Sequence, residues 1–127
     1  MIDHLSIEVS DLGRARRFYD VALGALGLRV IAEPPDDEYG APCVGFDAGD
    51  NTSFWIAETE AQRPPLHIAF RAATRAQVDA FHAAALSAGG RDNGAPGLRP
   101  QYHADYYGAF VLDPDGNNIE AVTHLPE

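Results

Sequence analysis

Several residue types that support familiar chemistries are scarce or missing in this sequence. It contains one cysteine, Cys43, and no lysine, so all nine of its basic residues are arginines. A single thiol excludes an internal disulfide framework and a zinc site built from several thiolates. The lack of lysine excludes every enzyme mechanism that forms a Schiff base on a lysine amine.

Positive charge is also in short supply. Nine basic side chains face nineteen acidic ones, which leaves a net charge of -10 at pH 7. Such a chain repels nucleic-acid phosphates and anionic membrane surfaces, so we expect neither as a partner. No apolar run is long enough to predict a membrane-spanning helix. Because a strand-like segment already begins at Ile2, we expect no secretory signal peptide and a cytoplasmic location.

The apolar content, by contrast, is sufficient for one hydrophobic core. Of the 127 residues, 46% are hydrophobic and 22% are charged. A chain of this length is close to one domain and typically buries about two-thirds of the surface that its unfolded form exposes. We therefore expect residues 1–127 to fold as a single domain.

An internal repeat becomes visible when His4 is aligned with His67. The alignment pairs the segment HLSIEV with HIAFRA, and Gly27 with Gly90. Each copy begins as an alternating strand and continues as an amphipathic helix that ends at a glycine. Short strand-like runs follow each helix, and a hairpin turn is predicted at Asp113–Gly116. The pattern predicts an α+β domain of two βαβββ modules, about residues 1–60 and 65–125.

Strand alternation places three potential metal ligands on one side of the predicted sheet. His4, His67 and Glu120 each lie opposite the apolar residues of their own strands. If the apolar faces pack against the helices, two imidazoles and a carboxylate share the other surface and could bind a divalent metal. Alternation alone does not show that the three strands are neighbours. Each side chain by itself also fits an ordinary half-buried histidine or a solvated carboxylate.

Three segments of the chain resemble the vicinal oxygen chelate superfamily, which includes glyoxalase I, fosfomycin- and bleomycin-resistance proteins and extradiol dioxygenases. They are DHLSIEVSDLGRARRFYDVALGALGLRV, LHIAF and AFVLDPDGNNIEAV. The resemblance implies two βαβββ modules that form a cup-shaped mixed sheet with helices on its outer face, often completed by a second subunit. It implies a divalent metal (zinc, iron, manganese or nickel) held by His4, His67 and Glu120, and a homodimer.

One departure from the family pattern affects the expected chemistry. Glyoxalase I enzymes have a fourth ligand, a glutamate, at the position that corresponds to Ala57 in this chain. Glu58 is adjacent, but on a straight strand it points to the opposite face, and a bulge would be needed to redirect it. The resemblance therefore implies three protein ligands and disfavours four-ligand chemistry on a glutathione hemithioacetal.

Two long polar loops are predicted, Glu33 to Pro42 and Asp92 to Tyr107, and loops of this length are often functional. The second loop supplies the candidate catalytic residues for proton transfer, which are Tyr102, His103 and Tyr107. Candidate residues of the substrate pocket are Trp55, Ala57, Arg71, Arg99 and Tyr106. The alternative is that the aromatic residues only pack along the rim or a dimer seam and that the arginines are solvated.

Three functions fit these features. The first is a metal-dependent, glyoxalase-like isomerase or lyase whose small organic substrate chelates the ion through oxygen atoms. The second is a metal-free protein that sequesters a small molecule, as bleomycin-resistance proteins do; the intact set of ligand residues opposes it. The third is a non-heme iron dioxygenase, which the length opposes because the better-known extradiol enzymes are about twice as long. The sequence leaves the substrate, the reaction and the metal undetermined.

Overall fold

The computed structural model describes residues 1–49 and 52–127, which form ten regular elements. The first module contains β1 (Leu5–Val9), α1 (Leu12–Gly24), β2 (Arg29–Ala32), β3 (Cys43–Asp47) and β4 (Phe54–Glu58). The second contains β5 (His67–Arg71), α2 (Arg75–Ser87), β6 (Arg91–Leu98), β7 (Tyr107–Leu112) and β8 (Asn118–Thr123). The predicted α+β class and the two βαβββ modules are confirmed. Within these residues, neither helix has the length and apolarity needed to cross a bilayer.

Each module contains one four-stranded mixed sheet, and the two sheets have the same topology. Their strand orders are β1-β4-β3-β2 and β5-β8-β7-β6. The first strand of each module pairs in parallel with the last, and the other pairings are antiparallel. Strands β1 and β5 consequently lie at the edges of their sheets, where one side of each backbone has no neighbouring strand within its sheet.

Both helices begin at capped positions. The side chains of Asp11 and Thr74 accept hydrogen bonds from backbone amides three residues later, which satisfies amides that the helix itself leaves free. A glutamate from outside the helix caps each first turn as well: Glu58 Oε2 lies 2.7 Å from the amide nitrogen of Leu12, and Glu127 Oε2 lies 2.7 Å from that of Arg75. The negative charges of these carboxylates also interact favourably with the positive, N-terminal end of each helix dipole.

A single core joins the two modules. The helices contact each other, and their apolar faces pack on the inner faces of both sheets. Fully buried members of this core include Phe18, Tyr19, Phe46, Phe81 and Ile119. The apolar faces of the alternating strands are thus directed at the core around the helices, and the opposite face of each sheet is available for a site.

The structure corrects the prediction of one long loop from Asp92 to Tyr107. Its first half belongs to β6, which pairs antiparallel with β7 and shifts register twice, on either side of Gly94. Gly94, Pro96 and Gly97 interrupt any alternation of side chains, so the sequence resembles a loop. The strand forms because its backbone pairs with β7.

Gly90 follows helix α2, at the position that matches Gly27 in the first repeat, and it is tightly packed. A Cβ atom there would lie 2.5 Å from Val111 Cγ1, 2.7 Å from Phe18 Cε2 and 2.8 Å from the carbonyl oxygen of Ala85. We expect Gly90→Ala to lower the free energy of unfolding by about 1–3 kcal/mol because the buried neighbours must shift. Denaturant unfolding followed by circular dichroism measures this change.

Gly24, at the end of α1, provides the matched control. A Cβ atom there meets open space, so Gly24→Ala is expected to stabilise the protein by up to about 1 kcal/mol through its higher helix propensity. Equal effects of the two substitutions would contradict the packing explanation.

Candidate functional site

Two of the three predicted metal ligands lie in direct contact. His67 is in β5 and Glu120 is in β8, its parallel neighbour. His67 Nε2 lies 2.8 Å from Glu120 Oε2. The histidine side chain is 54% exposed, whereas that of Glu120 is only 1% exposed. An imidazole at the surface therefore covers a buried carboxylate.

Tyr106 holds the second oxygen of the same carboxylate. Its hydroxyl donates a hydrogen bond to Glu120 Oε1. Burial, followed by the hydrogen bond to Glu120 and its charge, raises the pKa of Tyr106, so the phenol remains a neutral donor at physiological pH. Both oxygens of Glu120 are thus occupied, one by an imidazole and one by a phenol.

His4 lies in a different part of the molecule, where it lines a cavity in the first module. The cavity has a volume of about 380 Å³. Its other lining residues, all from the first module, are Ser6, Tyr39, Ala41, Cys43, Trp55 and Ala57. His4 Nδ1 lies 2.7 Å from the carboxylate of its neighbour Asp3. Within the described parts of one chain, no three histidine, cysteine or acidic side chains are arranged to hold a metal ion.

The walls of this cavity are largely apolar and aromatic. The rings of Tyr39 and Trp55 meet edge to face, with their centroids 6.0 Å apart. Gly45 faces Trp55 across the strand pair, and a Cβ atom on it would approach the indole to 3.2 Å. Burial, with the nearby charges of Glu38 and Asp36, raises the pKa of the Cys43 thiol, which disfavours the reactive thiolate.

The structure agrees with the expected orientations of Ala57 and Glu58. Ala57 lines the cavity, as does Trp55, two residues earlier on β4. Glu58 faces the other way and caps α1 through the amide of Leu12. No bulge interrupts β4 in its pairing with β1, so Glu58 keeps the orientation that simple alternation gives it.

The loop between β6 and β7, residues 99–106, brings the candidate residues Tyr102 and His103 together around Tyr106. Tyr102 and His103 pack on the ring of Tyr106, with centroids 4.8 Å and 5.5 Å away. His103 Nε2 also lies 2.8 Å from Nδ1 of His124, a residue without a predicted role. If the alternation of β8 is continued by one residue, His124 falls on the same face as Glu120, because the two are four residues apart. The sequence pattern could therefore have identified it.

Tyr107 and the arginines depart from the expected grouping. The hydroxyl of Tyr107 donates to Asp79 in α2 at 2.7 Å, so this side chain is on the helix side of its strand and away from Glu120. Arg99 lies over the ring of Phe110, 5.5 Å from its centroid, and Phe110 neighbours His67. Arg71 lines a second cavity of about 430 Å³ together with His124. Neither arginine lines the cavity that contains Trp55.

Comparison with known proteins identifies a family. The model of the Glyoxalase/Bleomycin resistance protein/Dioxygenase superfamily matches residues 1–121. A glyoxalase/bleomycin resistance protein from Albidiferax ferrireducens is 30% identical, with a TM-score of 0.74 and 98% of each chain covered. No curated protein matches the sequence.

Two further solved structures share the fold at lower identity. A glyoxalase/bleomycin resistance protein/dioxygenase family enzyme from Burkholderia phytofirmans is 20% identical, with a TM-score of 0.71 over 98% of both chains. A glyoxalase I mutant from Zea mays is also 20% identical, with a TM-score of 0.72. The match covers 95% of this chain but only 45% of the maize chain.

Proposed function

Because the chain belongs to the glyoxalase/bleomycin resistance protein/dioxygenase superfamily, we propose that it is a metal-dependent, glyoxalase-like enzyme of the isomerase or lyase type. Its substrate is a small organic molecule that chelates the ion through oxygen. The ion is zinc, iron, manganese or nickel, held by His67 and Glu120 of one chain and His4 of a second copy. The observation that carries the proposal is the contact between His67 and the buried carboxylate of Glu120.

The chemistry of these residues fits a divalent ion. Imidazole nitrogens and a carboxylate oxygen are donors that all four candidate metals accept. A carboxylate that is 1% exposed loses most of its hydration, which is costly unless a positive charge compensates it. A bound cation would supply that charge, and the exposed His67 lies where an ion can enter from the surface.

A second copy of the chain would complete the site. His4 precedes β1 and His67 begins β5, and both strands are edge strands of their sheets. Edge strands expose unpaired backbone groups, and natural proteins usually cover them. We propose a homodimer in which the first module of one copy faces the second module of the other, so that the dimer contains two equivalent sites.

When bound, the ion would supply Lewis acidity to a substrate oxygen. Residues of the chain around it would bind the substrate and transfer protons. Trp55 and Tyr39 would hold the organic part of the substrate against an apolar wall and exclude water. Ala57 offers no carboxylate, so proton transfer falls to other groups. His103 would pass a proton through its Nε2, which shares a hydrogen bond with His124, because its Nδ1 accepts from the amide of Asp105. Tyr102 packs on the neighbouring ring of Tyr106.

Sequestration without a metal is the second candidate, and one observation favours it. The cavity of the first module has two aromatic walls, and its lining within residues 1–49 and 52–127 includes no carboxylate. It could bind an apolar ring with His4 as a simple hydrogen-bonding group. The third candidate, an iron dioxygenase, uses the same ligands as the leading proposal and differs in consuming oxygen with a catechol substrate when iron(II) is bound.

Metal analysis tests the leading proposal. Protein purified without a metal-affinity tag and dialysed against zinc, manganese, nickel or iron(II) is expected to retain about one ion per chain. The substitution His67→Ala removes an imidazole donor and should weaken metal binding by more than about 100-fold, since even outer-shell changes cost 10–100-fold. Elemental analysis after dialysis measures the loss.

The matched control for this substitution is His82→Ala. His82 lies in α2, and its Nε2 is 3.0 Å from Asp92, so its removal should leave the metal content unchanged. Ligand quenching of Trp55 fluorescence in a wild-type protein that retains no ion would favour sequestration. Oxygen uptake with catechols by the iron(II) form would favour the dioxygenase.

A further inference from the structure

We propose that Tyr106 is a positioning residue that reserves one oxygen of Glu120, so that this carboxylate binds the ion through its other oxygen alone. The inference rests on the proposed metal site and deepens it. It assigns Tyr106 a role different from lining the substrate pocket, since its hydroxyl is directed at the carboxylate.

The contacts of Glu120 divide its two oxygens between two partners. Oε1 accepts the hydrogen bond from the Tyr106 hydroxyl, and Oε2 faces His67 Nε2 at 2.8 Å. Because Oε1 already accepts the hydrogen bond of the phenol, it is the less available of the two carboxylate oxygens for an ion. An ion bound between His67 and Glu120 would therefore be held through Oε2, while Oε1 would keep its hydrogen bond to Tyr106.

Gly108 makes room for this arrangement. A Cβ atom at position 108 would lie 3.2 Å from both Glu120 Oε1 and Tyr106 Cε1, and 3.4 Å from the carbonyl oxygen of Ala121. Any larger residue would press on the two groups that form the hydrogen bond. The absence of a side chain at this position thus allows the phenol and the carboxylate to meet within the sheet.

The loop holds the phenol before any ion arrives. The carbonyl oxygen of Tyr106 accepts a hydrogen bond from the amide of Arg99 at 2.8 Å, and its amide donates to the carbonyl of His103 at 3.2 Å. The ring packs between Tyr102 and His124, whose centroids lie 4.8 Å and 5.2 Å away. A donor fixed by its neighbours orients a metal ligand more effectively than a mobile one does.

The consequence concerns the number of positions left on the ion. A carboxylate that binds through both oxygens takes two coordination positions, whereas one that binds through a single oxygen takes one. With two imidazoles and one carboxylate oxygen, an ion keeps positions for both oxygens of a chelating substrate. Tyr106 would thus preserve the room that a two-oxygen substrate needs.

Cobalt(II) is a suitable probe because its visible absorption reports the number and geometry of its ligands. We expect Tyr106→Phe to weaken cobalt binding by about 10–100-fold, because the carboxylate loses the hydrogen bond that orients it. The visible band should also change, since the released oxygen can become a second ligand. Tyr107→Phe is the matched control: its hydroxyl also donates to a carboxylate, that of Asp79, but on the helix side of the sheet and away from Glu120. It should leave both the affinity and the spectrum unchanged.

A second variant tests whether Tyr106 positions Glu120 or only stabilises the fold. Gly108→Ala retains the Tyr106 hydroxyl but crowds its ring and Glu120 Oε1, which must shift by a few tenths of an ångström, so it should change the spectrum in the same direction as Tyr106→Phe but less. A Tyr106→Phe protein that is less stable but has wild-type cobalt affinity and spectrum would overturn the inference and leave the metal site intact. A wild-type protein that binds no cobalt would overturn the proposed function as well.

Discussion

Replacing Asp113 with alanine is expected to lower the free energy of unfolding by about 3–5 kcal/mol, because several buried donors lose their acceptor at once. The Asp113 side chain lies in the turn before β8, and the residue is only 2% exposed. Its Oδ2 accepts from the hydroxyl of Tyr19 at 2.5 Å and from Asn117 Nδ2 at 2.9 Å. Its Oδ1 accepts from the amides of Asn117 at 2.8 Å and Asp115 at 3.0 Å.

The size of the effect follows from where these donors lie. Tyr19 belongs to α1 in the first module and is fully buried, so the hydrogen bond to Asp113 joins the two modules. Burial, with the charge of Asp113, raises the pKa of Tyr19 well above its usual value, which keeps the hydroxyl protonated as a donor. Asn117 in turn accepts from the amide of Leu66 at 2.8 Å, directly before His67. Loss of Asp113 would loosen the module contact and the start of β5.

Urea unfolding followed by the fluorescence of Trp55 measures this loss. Tyr19→Phe removes one donor and leaves the carboxylate in place, so it should cost about 1–2 kcal/mol. Asp20→Ala changes an exposed aspartate of α1 and should stay within about 0.5 kcal/mol of the wild type. An Asp113→Ala protein as stable as Asp20→Ala would show that the turn network contributes little.

Mixing two defective variants is expected to restore metal binding if the site is shared between copies. In the proposed dimer, His4→Ala and His67→Ala each remove a ligand from both sites of a homodimer. A mixed dimer of the two has one site that lacks both ligands and one site that is intact. If subunits exchange randomly, about one quarter of all sites should regain wild-type affinity. Unfolding and refolding the variants together, followed by zinc analysis, measures the recovery.

The control for this experiment uses two ligands from the same module. His67 and Glu120 lie 2.8 Å apart on neighbouring strands of one chain. Because they enter the same site from the same copy, a mixture of His67→Ala and Glu120→Ala should recover no binding. Recovery in neither mixture, although the variants fold and exchange, would refute a site shared between copies. Full zinc binding by His4→Ala alone would remove His4 from the ligand set.

Side-chain alternation allowed several features to be predicted from the sequence. It placed Trp55 and Ala57 on one face of β4 and Glu58 on the other, and the cavity and the helix cap agree with that placement. The predictions that failed concern the boundaries of strands. Tyr107 was assigned to a loop, but it begins β7, and its position in the strand turns its side chain toward α2. Once Tyr107 is included in β7, alternation places its side chain on the face opposite that of Gly108 and Phe110.

The sequence by itself determined the duplicated βαβββ modules and the face on which His67 and Glu120 lie, because strand and helix periodicity are local properties of the chain. Only the tertiary structure decided that β5 and β8 are neighbours, which brings those two side chains together, and that Tyr106 and Gly108 complete their surroundings. It also placed His4 in a cavity of the first module, apart from that pair. These placements depend on which strands pair and how the modules pack, and such long-range contacts leave no periodic signal in the sequence.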